Sequence, residues 1–273
     1  MKKALSALLA AGLTLALGAC ASDESDTPSS ATATSGAAID PAVAALNGTI
    51  TFGTEGTYAP FSYYDTATGK LVGYDVEVAE AVAAKLGLKV EFVETAWDGI
   101  FAALEAGRFT AVANEVEINE KRQGLYDLSD PYSISYPVAL TLATNTDITT
   151  VADLSGKTAA QTAGSNWGAK AEAYGATVNV VPGFAESALL VSQGRADFTL
   201  NDALSVADYF TATGDTSLHV AIEITEEQVF QGFALKKGSG LLPALNAALA
   251  ELKADGTLAA IGDKYFGKDI SQP

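Results

Sequence analysis

An α/β fold built in two units is predicted by three observations. Short alternating apolar runs are separated by longer stretches with helical periodicity, which argues for strand-helix-strand units on a mainly parallel sheet. The series then starts again in the second half of the chain, so two units share the sequence. Two helical patterns close it, and no solenoid-type repeat is present.

In the first unit, Ile50 and Phe52 alternate with Thr49 and Thr51, as in a half-buried strand. "GTEGTYAP" follows as a loop rich in turn residues. Asp75 is placed to cap a helix running to about Leu86, with Val76, Ala79, Val82 and Leu86 on one face. Leu88, Val90 and Phe92 alternate again. A helix over about Asp98 to Ala106 ends at Gly107, where a left-handed cap is cheap. Phe109 to Ala113 is a short apolar strand.

In the second unit, "GKTAAQ", Val178 to Val181 and Asp197 to Leu200 read as strands. Ser165 to Tyr174, Phe184 to Gln193 and Asp202 to Thr211 read as helices. The tail gives helices over Leu241 to Asp255 and Thr257 to Tyr265. The first carries an apolar face of Leu241, Leu242, Leu245, Leu249 and Leu252. The turn Gly238-Ser239-Gly240 leads into it.

Ahead of these units lies a targeting segment. Lys2 and Lys3 precede an apolar run, Ala4 to Leu17, too short for a span of roughly 20 residues. It ends in "LGAC", which resembles the bacterial lipobox. Residues 1–19 are expected to be a signal peptide, removed before a lipidated Cys20, the sole cysteine. Residues 20–44 are expected to be a tether: "ASDESDTPSSATATSGAAID" is too polar and small to order itself. Membrane attachment is thus expected only through the Cys20 lipid, with an extracytoplasmic, membrane-anchored location.

Composition excludes several functions. A net charge of −17 speaks against nucleic acid and against docking on anionic lipid. The single histidine, His219, and the single cysteine allow no zinc cluster and no Cys-His site, so neither metal nor cofactor is expected. There is no "GxSxG", P-loop or "GxGxxG". On its strand, His219 reads as structural.

Five stretches together resemble the amino-acid-binding branch of bacterial extracellular solute-binding proteins, the partners of ABC importers. They are "GTEGTYAPFSYYD", "GKLVGYDVEVAEAVAAKLGLKVEFVETAWDGIFAALEAGRF", "NEKRQGLYDLSDPYSISYPVAL", "GRADFTLND" and "ALAELKADGTLAAIGDKYFG", spread over about residues 46–268. The resemblance implies a two-lobed, periplasmic-binding-protein-like fold whose α/β lobes are joined by hinge strands. Lobe I would take residues 45–134 and 231–273, and lobe II residues 135–230. Crossings fall near Ser135 to Pro137 and Gln228 to Gly232. "ETAWDG", "VAN", "GSNWG" and "NDALSVADY" are most similar to the cystine-binding subgroup. That subgroup typically shows "NQV" where this chain has Asn114-Glu115-Val116. Glu117 also departs from a position that is commonly small or hydroxylic.

The resemblance implies roles for particular residues. Arg122 matches the family's carboxylate-binding arginine, whose planar fork suits a bidentate carboxylate. Spacing alone would give a surface arginine paired with Glu117 or Glu120. Ser165 matches a hydroxyl at a helix start, where free N–H groups favour a carboxylate. Asp202 matches the acid for the α-ammonium. Either would look the same as a plain N-cap. Tyr58 and Trp97 match cleft aromatics, and Glu55 matches an acid at the rim. Phe61 and Trp167 are candidate neighbours, and Asn114, Glu115 and Glu117 lie close by. The function implied is capture of a polar L-amino acid, cystine before others, by a monomer that hands it to an ABC permease. Two alternatives stay open: a dehydratase-type enzyme on the same scaffold, served by Glu115 and Glu117, and a ligand-binding surface sensor.

Overall fold

The computed structural model describes residues 40–272; the expected signal peptide, Cys20 and most of the tether lie outside the described residues. The tether ends sooner than residue 44. Pro41–Ala44 forms a short helix, α1, started by Asp40, whose Oδ1 accepts from the Ala42 and Val43 amides. Val43 is buried in the core. An aspartate N-cap followed by proline is a helix-start signal strong enough to order this turn.

The first part continues with β1 (Thr49–Thr54), β2 (Thr57–Tyr58), β3 (Ser62–Tyr64), β4 (Leu71–Val72), α2 (Tyr74–Lys85), β5 (Lys89–Glu94), α3 (Trp97–Glu105), β6 (Ala111–Glu117), α4 (Glu120–Leu125), β7 (Tyr126–Leu128) and β8 (Ser133–Ser135). The second part holds β9 (Pro137–Leu142), β10 (Thr158–Thr162), α5 (Asn166–Ala173), β11 (Thr177–Val181), α6 (Phe184–Ser192), β12 (Phe198–Asp202), α7 (Ala203–Thr213) and β13 (Leu218–Glu223). The chain then returns in β14 (Val229–Lys236) and ends in α8 (Leu242–Ala254) and α9 (Thr257–Phe266).

Two sheets carry the two units. The first runs β5-β1-β6-β14-β7, with β8 also on β14; the second runs β11-β10-β12-β9-β13. The chain leaves the first sheet between Ser135 and Pro137 and re-enters it between Glu223 and Val229. Neither sheet is mainly parallel. Each keeps three neighbouring parallel strands, but β14 runs antiparallel to its neighbours β6, β7 and β8 in the first, and β9 runs antiparallel to β12 and β13 in the second. The parallel strands follow the local βαβ rhythm. The antiparallel ones are the chain's entries and exits, whose direction no local pattern encodes.

Both faces of each sheet are buried, as the strand sequences require. In β6, Ala111 and Ala113 face a core with Phe52, Val78, Leu245, Leu249 and Leu252. Val112 and Val116 face another with Ile100, Leu104 and Phe109. In the second sheet, Ala159 and Ala160 divide in the same way. A period of two with both faces apolar makes a layered lobe with helices on either side.

Two local expectations are corrected. Asp75 is not a cap: α2 starts from Gly73, and the Asp75 carboxyl is buried inside the first turn. The "GTEGTYAP" loop also contributes β2, part of a small antiparallel sheet with β3 and β4. Among the described residues no helix is long and apolar enough to cross a membrane.

Candidate functional site

The C-terminal ends of parallel strands from both sheets meet at one cleft of about 570 Å³. In open α/β sheets this is where ligands sit. From the first sheet come Glu55 just after β1, Tyr58 on β2, Trp97 opening α3, and Asn114 and Glu115 in β6. From the second come Thr162 at the end of β10, Ser165 and Trp167 at the start of α5, Phe184 and Glu186 on α6, and Asn201 in β12. The Tyr58 hydroxyl donates to Asn201 Oδ1 at 2.8 Å, a direct bond between the two units.

The first wall is held from behind. Asn114 Oδ1 accepts from Thr54 Oγ1 at 3.1 Å and from the Glu55 amide at 2.8 Å, while its Nδ2 donates to Glu55 Oε2 at 2.8 Å. Burial raises the Glu55 carboxyl above its ordinary value, against these hydrogen bonds. Tyr58 packs on Phe61, ring centres 5.3 Å apart. Phe61 itself is fully buried in the core, so it supports the wall without forming it.

β6 is bent where it meets the cleft. Gly232 pairs with Val116 and Ala234 with Val112, so three β6 residues face one on β14. Glu115 lies in this bulge with φ at +48°, a left-handed backbone uncommon for a non-glycine residue. Gly232 is required opposite: a Cβ there would stand 2.8 Å from Ser129 Oγ and 2.9 Å from its carbonyl oxygen. The bulge aims Glu115 into a buried acidic cluster. Its amide donates to Asp75 Oδ2 at 2.7 Å, and its Oε1 lies 2.9 Å from Ser133 Oγ.

Arg122 is buried, not a surface residue, and forms no ion pair with Glu117 or Glu120. Asn119 starts its helix by accepting from the Arg122 amide at 2.9 Å. The guanidinium lies 5.2 Å from the Trp97 ring centre and 5.5 Å from that of Phe101, and donates to the Glu117 carbonyl at 3.1 Å. Burial lowers its pKa to about 10. Arg122 therefore sits behind the wall ring Trp97 and does not itself line the cleft. Glu117 does not line it either; its side chain accepts from Asn119.

On the second side Ser165 is both an N-cap and a cleft residue. Its hydroxyl accepts from the Gly168 amide at 3.0 Å, which leaves the first N–H groups of α5 directed at the cleft end of the helix. Asp202 is the N-cap of α7, accepting from Leu204 at 2.8 Å. It is fully enclosed by Ser135 Oγ at 2.9 Å and Gln231 Nε2 at 3.1 Å, on the strands flanking the crossings. Burial raises its carboxyl to about 6, and that of Asp75 to about 7; Glu115 is pushed well above the usual range by burial, then by Asp75 and Asp202.

Sequence reasoning missed Asn201, Thr162, Phe184 and Glu186 as cleft residues. Asn201 had a signal, since it ends an apolar strand beside Asp202. The others had none: an apolar residue and an acid in a first helical turn are ordinary. His219 pairs across from Thr141 in the second sheet, away from the cleft. Among the described residues no group of His, Cys, Asp and Glu is arranged to hold a metal ion.

The family model for bacterial extracellular solute-binding proteins, family 3, matches residues 50–268, and the chain belongs to that family. Its close relatives are solute-binding proteins, not enzymes. The L-cystine-binding protein TcyA of Bacillus subtilis (strain 168) is 44% identical over the whole length of both chains. Among solved structures, the L-cystine solute receptor of Neisseria gonorrhoeae, in its unliganded open conformation, is 46% identical. It covers 85% of this chain and 99% of its own, with a TM-score of 0.58. An ancestral arginine-binding protein bound to glutamine is 34% identical, covering 81% and 99%, with a TM-score of 0.76. The two-lobed fold is thus shared with amino-acid-binding proteins.

Proposed function

We propose that this chain captures an L-amino acid, cystine before others, between its two lobes and delivers it to an ABC permease. The observation that carries this reading is the buried Arg122 guanidinium, which has no anionic partner among the described residues and stands directly behind a cleft ring. A buried charge without a partner is costly, by several kcal/mol in order of magnitude, unless a ligand completes it. An amino acid brings a carboxylate for the α5 amides, on the side of the cleft that Arg122 backs, and an ammonium for the side formed by Glu115 and backed by Asp202. Tyr58, Trp97 and Trp167 supply apolar area for the side chain. Cystine is favoured by the relatives' own assignments.

Closure of the lobes on the ligand belongs to the same reading. The lower TM-score to the open receptor, despite its higher identity, supports a lobe arrangement nearer the ligand-bound relative. Lobe I would comprise residues 45–134 and 231–273 and lobe II residues 135–230, acting as a monomer. Anchoring through a lipid on Cys20, after loss of residues 1–19, would keep the protein near its permease, and intact-mass analysis of membrane-extracted protein tests it. Binding is tested by calorimetry with L-cystine and the common amino acids, on protein unfolded and refolded to strip carried ligand. Submicromolar binding of one amino acid is expected. No heat with any of them would sink the reading.

A further inference from the structure

The acidic side of the cleft contains a proton count that does not close with ionised carboxyls. Four side chains form a chain across the strands next to the crossings. Glu115 Oε1 lies 2.9 Å from Ser133 Oγ, Ser133 Oγ lies 3.0 Å from Gln231 Oε1, and Gln231 Nε2 lies 3.1 Å from Asp202 Oδ2. Each of the three contacts needs one hydrogen between its atoms. The serine hydroxyl supplies one and the glutamine amide supplies one. The third must ride on a carboxyl at one end. Turning the Gln231 amide over does not remove the need; it only moves the extra proton from the Glu115 end to the Asp202 end.

The two ends differ in what else they touch. Asp202 Oδ1 accepts from Ser135 Oγ and from the Leu204 amide, and both favour the carboxylate. Glu115 Oε2 is buried and accepts from no donor, and its carboxyl faces that of Asp75, whose Oδ1 is likewise without a donor. The titratable groups facing Glu115 are Asp75 and Tyr74 from α2, Tyr58 from β2, Tyr132 beside β8 and Asp202 from β12. None is a cation, so no charge there favours a negative Glu115.

We propose that Glu115 works as a neutral carboxylic acid, donating from Oε1 to Ser133 and keeping Oε2 as a carbonyl-type acceptor for an ammonium group of the captured ligand. In that state it has the donor-and-acceptor shape of a glutamine side chain. The cleft then discriminates here by hydrogen bonding, and Glu115 adds no negative charge to that of Asp202 and Asp75. A zwitterionic ligand suits such a floor better than one carrying an extra cation. The last clause rests on the amino-acid reading above; the protonation itself does not.

Infrared spectroscopy of the ligand-free protein at pH 8.5 tests it, because ordinary carboxyls are ionised there. The carbonyl stretch of a protonated carboxyl should be present in the wild type and absent in Glu115→Gln. An unchanged spectrum would overturn the proposal. Should Glu115→Gln fail to fold, Ser133→Ala serves instead: loss of the acceptor should shift the band, and an unshifted band overturns the assigned partner. L-cystine is then added to the wild type. The band should persist, and calorimetry in two buffers of different ionisation enthalpy should show no proton exchanged. A vanishing band with one proton released would overturn the acceptor role. If no amino acid binds while the ligand-free band is present, the binding reading fails and the neutral acid stands.

Discussion

Arg122 and Glu115 belong to one short stretch, β6 through α4, yet the fold treats their charges in opposite ways. Arg122 is a buried cation without an ion pair, cushioned by the Trp97 and Phe101 rings. Glu115 is a buried acid kept from every cation, packed with Asp75 and Asp202. Direct pairing of the two groups would have neutralised both. Holding them apart leaves one site short of an anion and another short of a donor, which are the two things an amino acid brings at fixed spacing. The lesson is that charge separation inside a fold, costly for stability, is usable as selectivity.

The comparison breaks most visibly at Arg122. Arg122→Ala should weaken binding of the cognate amino acid at least about 100-fold, or about 3 kcal/mol, since the ligand carboxylate would lose its buried partner. Calorimetry against the wild type checks this, and binding within a few-fold of wild type would remove Arg122 from the site. Arg122→Lys should recover little, because a lysine lacks the planar fork that lies over Trp97.

On the acidic side the largest effect is on stability. Asp75 is raised from 3.8 to about 7, so the folded protein holds this proton more tightly than the unfolded chain does. Its contribution is full below pH 3.8 and is lost as pH rises toward about 7, opposite in sign to a salt-bridged carboxylate. Urea unfolding should show stability falling by about 2–4 kcal/mol over that window from this group. Asp75→Asn should flatten the fall. An equal slope in the variant would show that the cluster is not protonated as described.

Asp202→Ala tests the far end of the same chain. It removes an N-cap, worth about 1 kcal/mol, and frees Ser135 and Gln231. A melting temperature several degrees lower and affinity down by tenfold or more are expected; lost stability with full affinity would make Asp202 purely structural. The smallest effect is predicted at the bridge between units. Tyr58→Phe deletes the bond to Asn201 and should cost about 1 kcal/mol or less of affinity. A larger loss would mean that this bond, more than the charged groups, governs how the two units meet.

Much of the frame was readable in advance, for local reasons. Gly107 closes α3 in the left-handed conformation, Ser165 caps its helix, and the leucines of α8 repeat on one face. Asp75 misled because an aspartate at a helix start is ordinarily a cap, whereas here Glu115 reaches it from β6, 40 positions away. Arg122 misled in the same way. Its glutamate neighbours in sequence point elsewhere, and its real neighbours are rings on α3. Thr162, Phe184 and Glu186 carry no mark that separates a cleft residue from any other.

The sequence by itself determined the strands and helices of the βαβ units, the two closing helices and the division into two units, because hydrophobic period and turn chemistry act over a few residues. Tertiary structure alone decided which strands run antiparallel, which side chains share the cleft, and which acids hold a proton. Those depend on burial and on partners as distant as the 143 positions between Tyr58 and Asn201, where no local rule reaches.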